Sequence, residues 1–189
     1  METFRTFIAI FPETRLQKEL ARIQENLKKA GADIKWVEPE NIHLTLKFLG
    51  PTPVEKIPSV VNAIRASAKA LAPFSISLTH LGAFPNVKHP QIIWVAVTQG
   101  KESLKSLASR LDENLKSLGF DKEEREFTAH LTLGRSRSAL DHPALSEQLQ
   151  GHAHLPPMTQ EVTQIALIKS TLTSKGPVYE IIENTNLSG

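Results

Sequence analysis

The sequence contains no cysteine, which excludes disulfide bonds, zinc–thiolate sites and thiol nucleophiles. It also lacks any stretch close to the ~20 consecutive apolar residues that a membrane-spanning helix needs. The apolar run at residues 7–11 is too short for the hydrophobic region of a secretion signal. We therefore expect a cytoplasmic protein.

A large excess of either charge is also absent, because 22 Lys and Arg residues oppose 20 Asp and Glu residues, with a formal net charge of +2 at pH 7. This mild basic character suits a small anionic substrate or an RNA end, and it is too weak for binding along a long duplex. With 189 residues, of which 40% are hydrophobic, the chain can bury a substantial core. We expect a single bilobal domain over residues 1–189, and a monomer.

The tetrapeptide His-Leu-Thr-Leu occurs twice, at residues 43–46 and again at residues 130–133. Each copy alternates polar and apolar residues, which predicts a half-buried strand. Because successive side chains of a strand point to opposite faces, the His and Thr of each copy share one face and the leucines enter a core. Two such strands facing each other would bring two imidazoles and two hydroxyls around one cleft.

The elements around the motif repeat in the same order: a strand, a helix, and then a strand that carries the motif. The predicted strands cover residues 4–11, 34–37, 43–49, 74–79, 91–98, 127–135, 159–170 and 178–183, and the predicted helices cover 12–30, 54–70, 102–118 and a short segment after Pro143. Gly50-Pro51 is predicted to end the first motif strand, and residues 82–90 predict a loop. This order predicts an α+β fold of two pseudo-symmetric αβ lobes, with mainly antiparallel sheets lining a central cleft and helices outside.

Two histidines and two threonines in one cleft suit the cleavage of a phosphodiester. Histidine has an ordinary pKa near 6.5, so one copy can be a neutral base while the other is a protonated acid. Threonine hydroxyls on the same face can donate hydrogen bonds to the non-bridging phosphate oxygens. We predict neither a metal nor a cofactor, because neither histidine has a third ligand nearby in sequence and threonine is a weak zinc ligand.

The motifs and their flanks resemble the two-histidine phosphoesterase superfamily, and within it the bacterial and archaeal RNA 2′,3′-cyclic phosphodiesterase family, formerly called 2′-5′ RNA ligase. The matching segments span nearly the whole chain and are residues 5–10 with Pro12, 36–37, 40–50, 127–135, and 167–170 with Gly176 and Tyr179. Ala129 departs from the family pattern, in which proline often precedes the second histidine. Losing that restriction on φ should alter stiffness more than chemistry.

The resemblance implies hydrolysis of a ribonucleoside 2′,3′-cyclic phosphate, at an RNA 3′ end or in a mononucleotide, to the 2′-phosphate. It implies that His43 is the proton donor to the departing O3′ and that His130 is the proton acceptor that activates water. Thr45 and Thr132 would bind the phosphate. The sequence by itself does not orient the two histidines, because the two motifs are equivalent on paper.

Arg135 and Phe48 are two further candidates for substrate binding. Strict alternation from the second motif points Arg135 towards the core, but Gly134 permits a bulge that would turn the guanidinium to the cleft. Phe48 and Phe7 would flank a base, with a simple core role as the alternative. Further candidates for RNA-backbone contacts, with an ordinary solvated role as the alternative, are Lys47, Arg137 and Lys169.

Two other functions stay open at this point. RNA end joining, in which a 2′-5′ linkage forms by the reverse transesterification, would use the same residues. A nucleotide or RNA-end binder without turnover is the other, although it would have little use for a matched acid and base. His152 and His154 have strand spacing for two metal ligands but no further partner, so we predict no metal site there. We interpret the remaining histidines as surface or loop residues: His80, His89 and His142.

Overall fold

The computed structural model describes residues 2–124, 126–138, 142–174 and 176–189, and its strands and helices alternate much as the periodicity predicts. The strands are β1 (Thr3–Ile10), β2 (Ile34–Trp36), β3 (Leu44–Pro53), β4 (Phe74–Pro85), β5 (Pro90–Gln99), β6 (His130–Ser136), β7 (His154–Val162), β8 (Gln164–Thr173) and β9 (Gly176–Asn186). The helices are α1 (Thr14–Lys28), α2 (Ile57–Ala68), α3 (Lys101–Lys116) and α4 (Pro143–Gly151).

The nine strands of the described residues form one antiparallel sheet in the order β7-β4-β5-β6-β3-β1-β8-β9, and β2 pairs with β6. β3 and β6 meet at the centre through one residue pair, Leu44 and Leu131. We call β9-β8-β1-β3 the first lobe and β7-β4-β5-β6 the second lobe. Within each lobe the motif strand pairs with one long neighbour, β1 in the first lobe and β5 in the second. The predicted α+β fold of two pseudo-symmetric lobes is confirmed.

The helices pack on one face of this sheet, because each carries an apolar stripe. Leu16, Leu20 and Leu27 of α1 are buried, and α3 buries residues at the same three- and four-residue spacing. Each leucine removed from water in this way contributes ~1.5–3 kcal/mol. Among the described residues, the buried apolar cluster on the other face is small and consists of Phe7, Ala9, Ala166 and Ile168. We call this second face the cleft face.

The first motif strand is longer than predicted, because β3 continues through Gly50-Pro51 to Pro53. Gly50 adopts a φ of +71° within a bulge opposite Thr6, a conformation that glycine tolerates. Beyond Leu44, β3 pairs with β1 alone, so Pro51 lies on a free edge, where its missing N–H costs no ladder bond.

The predicted loop over residues 82–90 is too long, because β4 runs on to Pro85 and β5 begins at Pro90, which leaves residues 86–89 between the two strands. Gly82 marks a close approach and not a turn. A Cβ at this position would lie 2.5 Å from Cη2 of Trp94 on the neighbouring strand, so only glycine lets the indole lie flat there.

The predicted strand over residues 159–170 is wrong in a different way, since it is two strands separated at Thr163. β7 pairs with β4 in the second lobe, whereas β8 pairs with β1 in the first lobe. The chain therefore crosses between the lobes here. Gln160 joins them as well: its Oε1 accepts from the backbone N–H of Glu13 at 2.8 Å and its Nε2 donates to the carbonyl of Phe11 at 3.0 Å. Within the described ranges, no helix has the length and apolar character needed to cross a membrane.

Candidate active site

The two motif strands place their polar residues on the cleft face, as the alternation predicts. His43, Thr45, His130 and Thr132 are all half-buried, whereas the four motif leucines are buried in the main core. Because Leu44 pairs with Leu131 between antiparallel strands, each histidine faces the threonine end of the other motif. The structure therefore brings both copies of the motif to one site.

Each motif strand contains a bulge directly after its threonine. In β6, Thr132 pairs with Trp94 and Gly134 pairs with the preceding residue of β5, so Leu133 is the extra residue. Leu133 and Gly134 are consecutive buried residues, and the alternation changes phase there. Arg135 is consequently exposed on the cleft face, as a bulge at Gly134 was expected to allow.

The first lobe repeats this device. In β3, Thr45 pairs with Ala9 and Lys47 pairs with Ile8, so Leu46 is the extra residue. Phe48 is turned outwards in the same way as Arg135 and is 63% exposed. Phe48 of the first lobe thus occupies the position equivalent to Arg135 of the second lobe.

Both histidines are oriented by a backbone carbonyl two residues earlier in the chain. Nδ1 of His43 lies 2.7 Å from the carbonyl oxygen of Asn41, and Nδ1 of His130 lies 2.7 Å from that of Thr128. A carbonyl can only accept, so Nδ1 carries the proton in each ring. Nε2 is then the atom of each imidazole that can gain or lose a proton.

The surroundings favour the neutral form of both rings. Burial lowers the pKa of His43, the Asn41 carbonyl raises it, and the positive charges of Arg135 and His130 lower it further. Burial likewise lowers the pKa of His130, against the Thr128 carbonyl, and Arg135 adds to the decrease. The charge of Arg135 therefore acts on both imidazoles, which places these three groups around one centre.

Aromatic rings form the walls of the site. The ring of His43 has its centroid 4.8 Å from that of Phe7, 5.4 Å from that of Tyr179 and 5.7 Å from that of Phe11. Burial raises the pKa of Tyr179 above its ordinary value, against the positive charges of Arg5 and Arg135, so its hydroxyl is neutral at pH 7.

The walls around His130 belong to the second lobe. Its ring centroid lies 5.4 Å from Phe84 and 6.5 Å from Trp94. Sequence reasoning did not identify Phe84 or Trp94 as part of the site. They come from strands whose pairing depends on register, and the only local sign was an aromatic residue on the cleft-facing phase of a strand.

The family model of the 2′-5′ RNA ligase superfamily matches residues 12–173 of this chain. The chain belongs to the 2′-5′ RNA ligase superfamily. Two similar proteins, both named RNA 2′,3′-cyclic phosphodiesterase, come from Methanothermobacter thermautotrophicus (34% identical, covering 95% of this chain and 96% of the relative) and Aquifex aeolicus (35% identical, covering all of both chains). A crystal structure of a protein from Thermus thermophilus superposes with a TM-score of 0.81 at 28% identity, over 98% of both chains.

As a member of the 2′-5′ RNA ligase superfamily, the protein is an enzyme, and the family resemblance and enzyme class inferred from the motifs are confirmed. The match covers both motifs and the strands that carry Phe84 and Trp94, whereas Phe7, Phe11 and Tyr179 lie outside it.

Not every residue considered for substrate binding faces the cleft of this superfamily member. Lys47 is buried on the helix-covered side of the bulge, where Nζ pairs with Asp112, so its interpretation as an RNA contact is wrong. Phe7 is 4% exposed and belongs to the core beneath His43, which leaves Phe48 as the exposed ring of that pair. Among the described residues, no group of three His, Asp or Glu side chains could hold a metal ion.

Proposed function

We propose that this enzyme hydrolyses the 2′,3′-cyclic phosphate of a ribonucleotide or an RNA 3′ end to a 2′-phosphate, without a metal ion. The observation that carries the proposal is the matched pair of imidazoles, each with Nδ1 bonded to a carbonyl and Nε2 available for proton transfer. The names of relatives that cover 95% and 100% of the chain support the same substrate class.

The proposed reaction uses His130 as the base and His43 as the acid. Nε2 of His130 takes a proton from water, and the water oxygen forms a bond to phosphorus. The bond between phosphorus and O3′ breaks, its electron pair leaves on O3′, and Nε2–H of His43 supplies the proton to O3′. The phosphate stays on O2′, so the product is a 2′-phosphate. Each of the two roles is typically worth ~10²–10⁴ in rate.

Hydroxyl and guanidinium groups hold the phosphate in this proposal. Thr45 and Thr132 donate hydrogen bonds to the non-bridging oxygens, where charge builds in the transition state. The guanidinium of Arg135 attracts the anion. A bound phosphate anion opposes the effects of burial and of Arg135, so it raises the pKa of both imidazoles and allows His43 to be protonated in the complex.

Phe48 is the proposed stacking partner for the base of the terminal nucleotide. It is exposed on the cleft face, with its ring centroid 6.2 Å from that of Phe7. Alanine at a base-stacking aromatic position typically costs ~1–3 kcal/mol of binding free energy.

We also propose that the enzyme processes RNA in the cytoplasm as a monomer. Light scattering would test the oligomeric state.

Product analysis on 2′,3′-cyclic AMP in excess EDTA tests the proposal. We expect 2′-AMP at the rate seen without chelator. Accumulation of 3′-AMP would contradict the assignment of the broken bond, and a loss of rate that a divalent metal restores would contradict metal independence. Addition of an RNA with a 5′-hydroxyl tests end joining, since ligated product at a rate rivalling hydrolysis would favour that function instead.

A further inference from the structure

A continuous line of rings leads away from His130 across the cleft face of the second lobe. Trp94 lies 6.5 Å from His130, His80 lies 5.7 Å from Trp94, and His154 lies 5.8 Å from His80, all between ring centroids. Phe84 flanks the line, 5.0 Å from Trp94 and 5.4 Å from His130. His80, expected to be a surface or loop residue, is a half-buried residue of β4 on this face and not part of a loop.

The strand register explains this line. His154 of β7 pairs with His80 of β4, His80 pairs with Ala96 of β5, and Ala96 pairs with His130 of β6. Three histidines therefore share one row of the sheet, and only the small Ala96 separates His80 from His130. Three strand spacings of ~4.8 Å give the row a length of roughly 14 Å from the candidate catalytic histidine to the outer edge.

The rings on the cleft face of the second lobe are accessible. Phe84, Trp94 and His80 are half-buried and His154 is exposed. On the equivalent surface of the first lobe, Phe7 and the neighbouring β8 residues are packed into a closed apolar cluster. The second lobe thus presents a row of accessible rings, whereas the first lobe has a buried apolar cluster with the exposed ring of Phe48 beside it.

Single-stranded RNA is the ligand that such a face suits. Unstacked bases bind to aromatic side chains presented by a four-stranded sheet, and this kind of contact tolerates any base. A formal net charge of only +2 also favours recognition by stacking over recognition by many phosphate contacts. The ring centroids are 5.7–6.5 Å apart, which is less than the roughly 7 Å that a base stacked between two rings needs, so bases stack on the exposed faces of the rings. Aromatic rings on a four-stranded sheet typically stack two or three bases, and a row of roughly 14 Å accommodates about two nucleotides.

We propose that the row His130–His80–His154, with Trp94 and Phe84 beside it, binds the nucleotides that precede the terminal cyclic phosphate of an RNA 3′ end. This inference rests on the proposed function, because the cyclic phosphate has to lie at His130 for the upstream nucleotides to reach His80 and His154. It makes an RNA end, and not a mononucleotide, the better substrate.

The test compares kcat/KM for a trinucleotide ending in a 2′,3′-cyclic phosphate with kcat/KM for 2′,3′-cyclic AMP. In the wild-type enzyme the trinucleotide should be favoured, and His154→Ala should lower the ratio by about 5-fold, the lower end of the effect of losing one stacked base. His154→Phe keeps a ring and should preserve the ratio. His152→Ala is the matched control, because His152 is exposed and bonded through Nδ1 to the carbonyl of Gln148.

The outcomes separate this inference from the proposed function. Hydrolysis of both substrates with a ratio that His154→Ala does not change would overturn the stacking surface and leave the proposed function intact. An equal fall for both substrates would also overturn it, since that result indicates a structural role. If the wild-type enzyme hydrolysed neither substrate, that result would instead contradict the proposed function.

Discussion

Replacing Lys47 by methionine should destabilise the protein strongly, because the substitution removes one half of a buried ion pair. Lys47 lies in the bulge of β3, and its Nζ pairs with Asp112 of α3 and donates to the carbonyl of Asp121 at 2.8 Å. The side chains of Lys47 and Asp112 are only 4% and 13% exposed. Without the cation, the carboxylate of Asp112 would remain buried and unpaired.

The expected loss of unfolding free energy for Lys47→Met is ~3–5 kcal/mol, the usual cost of removing one partner of a buried pair. For a protein of this size each kcal/mol lowers Tm by roughly 2–4 °C, so Tm should fall by about 6 to 20 °C. The same bulge turns Phe48 to the cleft face, so the hydrolysis rate should fall as well.

Urea unfolding of the single and double variants provides the assay. Lys47→Met combined with Asp112→Leu should be more stable than Lys47→Met alone, because replacing both charges removes the unpaired carboxylate. Lys105→Met is the matched control, since Lys105 and Glu126 form a largely exposed pair at 3.4 Å that is worth at most ~1 kcal/mol. If Lys47→Met lost no more stability than Lys105→Met, the role assigned to the buried pair would be refuted.

Three other perturbations follow from the site and its walls. A phosphodiester with a p-nitrophenolate leaving group needs no proton donor, so His43→Ala should retain most of the wild-type hydrolysis rate on it. His130→Ala should lower that rate by ~10²–10⁴. If His43→Ala lost the rate and His130→Ala kept it, His43 would be the base and His130 the acid. Because the pKa of both histidines is lowered in the folded state, the unfolded chain binds more protons than the folded chain below about pH 6.5. The free energy of unfolding should therefore decrease as pH falls from about 7 to 5. In urea titrations His43→Gln should make this pH dependence less steep, and an unchanged pH dependence would contradict the prediction. Gly82→Ala should lower the free energy of unfolding by ~1–3 kcal/mol, because the new Cβ would lie 2.5 Å from the indole of Trp94. The same substitution should alter the near-UV circular dichroism of Trp94. A wild-type spectrum together with wild-type stability would show that the indole is not confined there.

The alternation within each His-Leu-Thr-Leu copy was enough to predict which residues share a face, because a strand has a period of two whatever its partners are. The phase change after each motif was harder to predict. Gly134 signalled the bulge in β6, whereas Leu46-Lys47 in β3 has no local signal. Strict alternation therefore placed Lys47 in the cleft. Aligning the two copies would have corrected this error, since Lys47 occupies the position of Gly134.

Which strands pair with each other is the part of the fold that local sequence patterns could not predict. The continuous pattern over residues 159–170 concealed a change of lobe at Thr163, because β7 and β8 are separated by that residue alone but pair with different neighbours. The ring walls depend on the same information. Trp94 reaches His130 only because β5 pairs with β6, and Tyr179 reaches His43 across two intervening strands. Local periodicity contains neither relationship.

In the proposed mechanism, two histidines share the proton transfers of one hydrolytic reaction. The most direct measurement is the rate of 2′,3′-cyclic AMP hydrolysis by His43→Ala and His130→Ala, each confirmed as folded by circular dichroism. Both variants should lose at least ~10² in kcat, because the natural O3′ leaving group needs a proton and the attacking water needs a base. A near-normal rate in either variant would contradict the paired mechanism.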